Sequence, residues 1–379
     1  MTDAQHASNG WRLDWPTSSG SRVASARIKS LPGDFFVDED LSMPDDSGGG
    51  GEHLCLRLEK VGDNTDYVAR QLANICGCRH FDVGFCGLKD RHAVTRQWFS
   101  LYRPGQEDDD GAFIQAVEEH WPVLAQYRQA RKLRRGDHQG NRFELVLKDV
   151  VGDTSAIDAA LARLRDLGCP NYFGSQRFGH GGANLDRALT MDPTTLNRRS
   201  GRNVKKRGRG RSTSGSRDSK NVLYFSAARS WLFNEVLAHR VETGTWLEPL
   251  EGEPGACENQ NLMVTGPLWG DGGTEAVSVQ GEIERSVVAE HPQLAAVFST
   301  TRMKPERRPL SLKPEGLEWH WDGNDQLRLS FRLAPGQYAT TLLDDVFDIM
   351  DATTFIGENC ANSVVQRRWR SFAGSGGAV

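Results

Sequence analysis

Asp90 is the side chain in this sequence that is best suited to covalent chemistry. It lies in the polar stretch 87–97, directly after Lys89 and before Arg91. An aspartate of ordinary pKa is ionised at neutral pH, so its carboxylate can attack an electrophilic carbon without a separate base. We therefore take Asp90 as the candidate catalytic nucleophile. Taken alone, Lys-Asp-Arg after a glycine is also typical of a solvated turn.

The residues before Asp90 predict how its carboxylate is held. Phe81, Val83 and Phe85 alternate with other residues, which indicates a half-buried strand. Gly87 then allows the backbone to turn without a Cβ penalty. A carboxylate just past the end of a strand is held by the sheet and faces a cleft.

Two further side chains could recognise a nucleobase. Phe143, Leu145 and Leu147 alternate and predict a strand, on which Asn141 and Phe143 project from the same face. This pair suits a pyrimidine turned out of its stack, because the amide can hydrogen-bond the base edge while the ring stacks on it. The alternative is a turn asparagine followed by a core phenylalanine.

Two long motifs resemble those of a known family. One surrounds Asp90, and the other follows the end of a predicted helix. They are Gly87-x-Lys89-Asp90-Arg91-x-Ala93-x-Thr95-x-Gln97-x-Phe99 and Gly168-Cys169-Pro170-Asn171-Tyr172-Phe173-Gly174-Ser175-Gln176-Arg177-Phe178-Gly179. Both are similar to the signatures of the TruD family of tRNA pseudouridine synthases. The similarity extends from about Lys29 to Phe347.

The resemblance implies an activity and a site. The family isomerises uridine to pseudouridine in tRNA, typically at position 13, and needs no cofactor or metal because the leaving uracil is itself rejoined. The resemblance places Phe35, Asn141, Phe143 and Tyr338 at the base, and Lys29 at a basic position nearby. Tyr338 departs from the phenylalanine that is common in the family, and its hydroxyl affects the packing against the base.

Three of these assignments have alternatives. Phe35 and Phe36 could both be core residues of one strand. Asn141 could hold the nucleotide or orient the Asp90 loop. Lys89 could support Asp90 electrostatically or bind phosphate, although its place in the sequence does not oblige it to point into the same pocket.

Basic residues gather in two segments, although the formal net charge is only -4. Residues 128–135 form either a surface helix face or a phosphate-binding strip. Residues 198–220 hold ten Lys and Arg against one acid and resemble a flexible RNA-binding arm, with a charged linker as the alternative. The predicted RNA-binding residues are Arg131, Lys132, Arg134, Arg135, Lys205, Lys206, Arg207 and Arg209.

Composition limits the class of protein. The chain has 379 residues, of which 38% are hydrophobic and 25% charged, and this length suffices for two domains. No run of about 18 apolar residues occurs, so neither a transmembrane helix nor a membrane partner is expected. The polar start and the scattered cysteines favour free thiols and a cytoplasmic location. We expect a monomer whose partner is tRNA.

The predicted fold class is α+β. We expect a pseudouridine synthase catalytic domain with a mixed, largely antiparallel sheet, interrupted by an inserted TRUD α/β domain. The catalytic domain is predicted over 21–167 and 313–379, and the inserted domain over 168–312 with a flexible basic arm at 198–220. Residues 1–20 are expected to be disordered.

Several elements are predicted around the site. Residues 64–76 form a capped amphipathic helix, and residues 155–167 form another. Residues 326–333 alternate strictly and form the clearest antiparallel strand. Apolar residues over 343–350 form a helix stripe, made of Leu343, Val346, Phe347 and Met350.

Two other functions use the same residues. A non-catalytic RNA-binding protein or tRNA chaperone would need only the basic and aromatic surfaces. A zinc-dependent base deaminase would need metal ligands, for which His80, His92 and nearby cysteines are candidates. The chain has no Cys-x-x-Cys pair, which weighs against the deaminase.

Overall fold

The computed structural model describes residues 10–41, 50–192, 214–254, 257–258, 261–299, 301 and 303–353, apart from the side chains of 214–221, 257–258 and 261–262. The chain divides into two compact units. The sheet unit is Ala24–Ile157, Pro314–Gly336 and Phe347–Val379, and the helical unit is Met1–Val23, Asp158–Lys313 and Gln337–Val346.

Strands and helices alternate irregularly along the chain. The strands are β1 (Ala24–Ile28), β2 (Phe35–Asp40), β3 (His53–Val61), β4 (Gly84–Phe85), β5 (Val94–Tyr102), β6 (Val123–Gln129), β7 (Gly140–Gly152), β8 (Cys169–Pro170), β9 (Cys257–Glu258), β10 (Asn261–Leu262), β11 (Thr265–Leu268), β12 (Glu306–Pro309), β13 (Ser311–Leu312), β14 (Glu315–Asp322), β15 (Gln326–Leu333) and β16 (Phe347–Asp351). The helices are α1 (Thr65–Cys76), α2 (Asp110–Glu118), α3 (Thr154–Leu167), α4 (Ala183–Thr190), α5 (Ser214–Glu242), α6 (Ser278–Ala289), α7 (Pro292–Phe298) and α8 (Ala339–Asp344).

The sheet unit is built on one mixed sheet, which has ten strands within the described residues. The main order is β14-β15-β7-β2-β5-β3-β6, while β1 pairs with β7 and β16, and β4 pairs with β5. The β1–β16 and β2–β5 pairs are parallel, and the other pairs are antiparallel. The predicted mixed, largely antiparallel sheet is confirmed.

One row of side chains crosses five strands on a single face of this sheet. Phe331 of β15 is opposite Phe143 of β7, which is opposite Val37 of β2. On its other side Val37 pairs with Thr95 of β5, and Thr95 is opposite Lys60 of β3. Side chains of directly paired residues project from the same face of a sheet, so these five side chains lie next to one another on one face.

Local signals explain the helix next to the site. The Asn64 side chain accepts a hydrogen bond from the backbone N–H of Tyr67 at 2.8 Å and caps the start of α1. Gly77 has a φ of 68° and ends the helix in the left-handed region. The predicted helices over 64–76 and 155–167 are confirmed within a residue of their ends.

The helical unit has its own apolar core around α5. Its buried side chains include Phe178, Phe225, Trp231, Leu232, Phe233, Val236, Leu294 and Phe298. Residues 11–15 of the N-terminal segment pack here, so the predicted disorder is wrong for them, while residues 1–9 lie outside the described residues. Trp11 donates to Asp186 Oδ1 at 2.9 Å, and Trp15 stacks on Tyr172 with ring centroids 5.6 Å apart. Aromatic burial therefore outweighs the polar composition of this segment.

The segment before Asp90 does not form the predicted strand. A 3-10 helix spans His80–Asp82, and β4 has only two residues. The backbone N–H of Asp82 bonds to the carbonyl of Arg79 at 2.8 Å, and this tight turn breaks the alternation. As a result, Phe81 is 64% exposed, while Val83 is buried.

The predicted helix stripe over 343–350 is also wrong in part. Helix α8 ends at Asp344, and residues 347–351 form β16, which pairs in parallel with β1. Leu343, Val346 and Phe347 are buried, but Met350 is exposed. A strand partner supplied by distant residues thus overrides the local helical spacing.

No helix in the described parts of the chain has both the length and the apolar character needed to cross a bilayer.

Candidate active site

Asp90 lies in the loop between β4 and β5. The long strand β5 follows Asp90, whereas the sequence predicted a long strand before it. Its Oδ2 accepts a hydrogen bond from Lys29 Nζ at 2.5 Å, and its Oδ1 accepts one from the backbone N–H of His92 at 3.0 Å. The side chain stays 35% exposed. Gly87 does not adopt a positive φ, so the reason predicted for this glycine is wrong.

The environment of Asp90 favours its ionised form. Burial by itself would raise the pKa of this carboxyl. The hydrogen bonds from Lys29 and from the backbone of His92 outweigh burial and hold the pKa below its ordinary value. Asp90 is therefore a carboxylate at neutral pH, as a nucleophile requires.

Lys29 connects Asp90 to a second carboxylate and to an aromatic ring. Its Nζ lies 3.2 Å from Asp351 Oδ2 and 4.9 Å from the centroid of the Phe35 ring. Burial would lower the pKa of Lys29, but the bonds to the two carboxylates raise it above the ordinary value, so the ammonium stays charged. Lys29 has a φ of 56°, a left-handed conformation that is uncommon for a residue with a side chain.

Three aromatic rings continue from Lys29 along the sheet. The Phe35 and Phe143 centroids are 6.3 Å apart at an interplanar angle of 82°. The Phe143 ring stacks on Phe331 at 5.3 Å. Lys29 and Phe35 thus lie between the Asp90 carboxylate and Phe143, and both phenylalanine rings are buried. Their contact with a base stays a prediction.

Asn141 is adjacent to a histidine. Its Nδ2 lies 3.4 Å from Nε2 of His138, while Asn141 Oδ1 and His138 Nδ1 are buried and make no protein hydrogen bond. Burial lowers the pKa of His138 below its ordinary value, so its ring is neutral at pH 7 and Nε2 can accept from the amide. The Asn141 amide nitrogen then donates to His138, and Oδ1 keeps its capacity to accept a hydrogen bond.

Lys89 does not share the surroundings of Asp90. Its Nζ forms a 2.5 Å ion pair with Glu39 Oε2, and the Glu39 side chain is completely buried. The second Glu39 oxygen accepts from the backbone N–H of Trp98 at 3.2 Å. The expected substrate contact of Lys89 is therefore revised to a positioning role, because its ammonium is already engaged inside the protein.

A short polar chain holds the backbone of the same loop. Thr65 Oγ1 accepts from the Lys89 backbone N–H at 2.9 Å and donates to Gln97 Oε1 at 2.9 Å. Gln97 Nε2 in turn donates to the Gly87 carbonyl at 2.7 Å. The start of α1 and the strand β5 thereby fix the loop that carries Asp90.

The predicted basic strip is a loop that follows β6, which excludes the surface-helix alternative. Arg131, Arg134 and Arg135 are exposed, and Lys132 donates a hydrogen bond to the Phe81 carbonyl. Arg128 at the start of the cluster is engaged inside the protein, since it pairs with Asp110 at 2.7 Å.

The remaining predicted residues lie elsewhere. Tyr338 belongs to the helical unit, where it precedes α8 and is 46% exposed. Lys205, Lys206, Arg207 and Arg209 fall outside the described residues, so the basic arm stays a prediction.

Known proteins match this chain over most of its length. The family model for tRNA pseudouridine synthase D (TruD) matches residues 18–184 and 253–346, which is more than half of the chain. The chain belongs to the TruD family. A tRNA pseudouridine synthase D from Marinobacter nauticus is 57% identical over 351 residues, which cover 90% of this chain and 96% of that protein. The one from Vibrio parahaemolyticus is 36% identical over 348 residues, covering 86% and 94%.

A solved structure supports the TruD fold. The crystal structure of a TruD protein from Methanosarcina mazei superposes with a TM-score of 0.63 at 20% sequence identity. The match covers 90% of this chain and 97% of that one. The predicted fold class is confirmed, while the domain boundaries and the roles of individual residues stay predictions.

Sequence reasoning missed three polar partners of the site: Glu39, His138 and Asp351. Glu39 had a signal, because it is two residues after Val37 and so projects from the buried face of β2. Asp351 had none, since a helix was expected there. His138 lies in an irregular segment whose packing no periodicity describes.

Proposed function

We propose that this chain isomerises uridine to pseudouridine in tRNA, at position 13, with Asp90 as the carboxylate that acts on the nucleoside. The observation that carries the proposal is the ionised, partly exposed Asp90, held by Lys29 beside Phe35 and Phe143. The names of the relatives and the two motifs support the choice of tRNA.

The reaction is balanced within the substrate. The N1–C1′ glycosidic bond breaks, and a new bond joins C5 of the same uracil to C1′. The proton lost from C5 is matched by the proton gained at N1. The net change needs no oxidant, reductant or co-substrate, so binding, a carboxylate and retention of the detached uracil suffice.

Asp90 has the charge and the access for the first step. Its carboxylate can attack C1′, attack the pyrimidine ring, or remove the C2′ proton to assist elimination. All three routes begin from an ionised oxygen, which Lys29 and the His92 backbone secure by lowering the pKa of Asp90. We assign Asp90 to this step and leave the three routes as alternatives.

Aromatic surfaces would hold the base once its bond is broken. Phe35 and Phe143 present their rings from adjacent strands, and Phe331 supports Phe143 from behind by stacking. Tyr338 is the third ring that the sequence predicts at the base. A flat wall allows uracil to rotate, and base stacking on an aromatic ring contributes about 1–3 kcal/mol, so it also opposes escape.

Asn141 would identify the base as uracil. Its Oδ1 is directed as an acceptor because its Nδ2 is turned toward neutral His138. Uracil offers N3–H as a donor, whereas cytosine has an unprotonated N3. A buried acceptor facing cytosine N3 would stay unpaired, which costs about 1–3 kcal/mol.

Pseudouridine mapping with an Asp90 variant tests the proposal. Cells that lack the chain should lose the modification at tRNA position 13, and the wild-type gene should restore it. The Asp90→Ala protein should bind tRNA normally but form product about 10⁴-fold more slowly. Normal product formation by this variant would refute the nucleophile. Unchanged tRNA in cells that lack the chain would instead favour a binding protein or chaperone.

A further inference from the structure

Phe81 is more exposed than any other phenylalanine, tyrosine or tryptophan within the described residues, with 64% of its surface accessible. It projects from the 3-10 helix His80–Asp82 in the segment between α1 and the Asp90 loop. A phenylalanine with only a structural role would be expected in the core. Single exposed apolar side chains are common, so the exposure of Phe81 has weight only together with the charged groups around it.

Arg79 holds the Phe81 ring in place. Its guanidinium carbon lies 4.3 Å from the ring centroid, and its Nε and Nη2 donate to Asp82 at 2.8 and 3.2 Å. The cation covers part of the ring, and Asp82 keeps the cation from moving away. The accessible part of the ring is thus a pre-oriented flat surface.

The basic loop after β6 is fixed against the same segment. Lys132 Nζ donates to the Phe81 carbonyl, and the Gly136 backbone N–H donates to the Cys86 carbonyl at 2.9 Å. A Cβ added at Gly84 would lie 2.5 Å from the Leu133 carbonyl oxygen, so only glycine permits this approach. Residues far apart in sequence therefore form one built surface.

This surface is positively charged. We call it the Phe81 platform and define it by Arg79, Phe81, Arg131, Lys132, Arg134 and Arg135. Asp82 and Asp137 are the acids within the two segments, and both are engaged, Asp82 by Arg79 and Asp137 by the Arg134 backbone N–H at 2.7 Å. Five cations against two acids leave an excess of three positive charges, which favours a phosphate backbone.

We propose that the Phe81 platform binds the substrate RNA outside the target uridine, with an unpaired base stacked on Phe81 and phosphates at the surrounding arginines. The proposal rests on the proposed function, which supplies RNA as the ligand. Sequence-independent RNA sites combine an aromatic surface with cations in this way. Phe81 precedes the short strand β4 and Asp90 follows it, so contact here would help to orient the substrate.

The test measures RNA affinity without turnover. In the Asp90→Asn background, a tRNA transcript is titrated against Phe81→Ala, Phe81→Leu and Phe81→Trp at two salt concentrations. The alanine and leucine variants should weaken binding by about 5–150-fold, which corresponds to 1–3 kcal/mol for one stacked base, and tryptophan should retain it. Val151→Ala is the matched control, since Val151 is 68% exposed in the same unit and should have no effect.

Charge variants check the phosphate contacts separately. Arg135→Gln should lower the slope of log affinity against log salt by about one and weaken binding to all RNA sequences alike. Phe81→Ala should leave that slope unchanged. Fully double-stranded RNA, which has no free base, should bind the Phe81 variants and the parent equally.

Two outcomes overturn the platform. Binding within twofold of the parent for both Phe81→Ala and Phe81→Leu would exclude stacking. If Phe81→Leu keeps its RNA affinity while Phe81→Ala loses it, the contact is apolar and not a stacked base, as in binding to a protein. If the wild-type chain forms pseudouridine while these results occur, only the platform fails. If the wild-type chain binds no tRNA and forms no product, the proposed function fails as well.

Discussion

Two lysine–carboxylate pairs of the sheet unit have similar distances and opposite surroundings. Lys29 and Asp90 are 2.5 Å apart, and the Asp90 carboxylate is 35% exposed. Lys89 and Glu39 are also 2.5 Å apart, but the Glu39 side chain is completely buried. The first pair leaves the Asp90 carboxylate partly accessible to solvent, whereas the second pair is enclosed.

Two neighbours in sequence thus have different surroundings in this molecule. Residues 89 and 90 are adjacent in the signature, yet one points into the protein and the other toward the site. The closed pair fixes the loop, because Lys89 reaches β2 through Glu39. The open pair keeps Asp90 ionised, because Lys29 holds the pKa of Asp90 low. The two lysines thus pair with different carboxylates, one partly exposed and one buried.

Breaking the closed pair should have the largest effect, and the effect should be on stability. Glu39→Gln leaves the Lys89 ammonium buried without a carboxylate, which we expect to reduce the free energy of unfolding by about 3–5 kcal/mol. Denaturant titration measures this loss. The double variant Glu39→Gln with Lys89→Met should lose less than the single variant. An equal or greater loss would show that the pair is not enclosed as described.

Breaking the open pair should affect the rate instead. Lys29→Met removes the cation that stabilises ionised Asp90, and we expect product formation to fall by about 10²–10³-fold. Without Lys29, burial raises the pKa of Asp90, so activity should be lost at a higher pH on the acid side of the rate profile. Lys29→Arg keeps the charge and serves as control. A wild-type rate profile for Lys29→Met would contradict this role.

Altering the second acceptor of Lys29 should have the smallest effect on the rate. It should shift the pKa of Asp90 in the direction opposite to that expected for Lys29→Met. Asp351 Oδ2 lies 3.2 Å from Nζ and shares the ammonium with Asp90. Asp351→Asn removes a nearby negative charge and a competitor, so the pKa of Asp90 should fall further and the acid limb should move to lower pH. We expect a rate loss of roughly tenfold, because a weaker base is a poorer catalyst. An acid limb that moves to higher pH would refute the sharing.

Much of the site could be predicted from local patterns. Asp90 was identified by its motif, and the shared face of Asn141 and Phe143 followed from the two-residue period of a strand. The helix α1 followed from Asn64, Gly77 and an apolar stripe. These features depend on residues that are close together in sequence, so they can be predicted without the tertiary structure.

Other features could not be predicted because their partners are distant in sequence. The ammonium of Lys89 has its direction from Glu39, which is 50 residues away. Strand β16 exists because β1 offers it a partner, although the local spacing favoured a helix. Phe81 is exposed because a 3-10 turn interrupts the expected strand.

By itself, the sequence determined the family to which the chain belongs and marked Asp90 as the candidate nucleophile, because motifs and hydrophobic periods are local. Only the tertiary structure decided which cation attends Asp90 and which is enclosed, since burial and charge pairing depend on elements that meet in space. The same reason applies to Phe81 and the basic loop, which become one surface only when β4 and the end of β6 are brought together by the sheet.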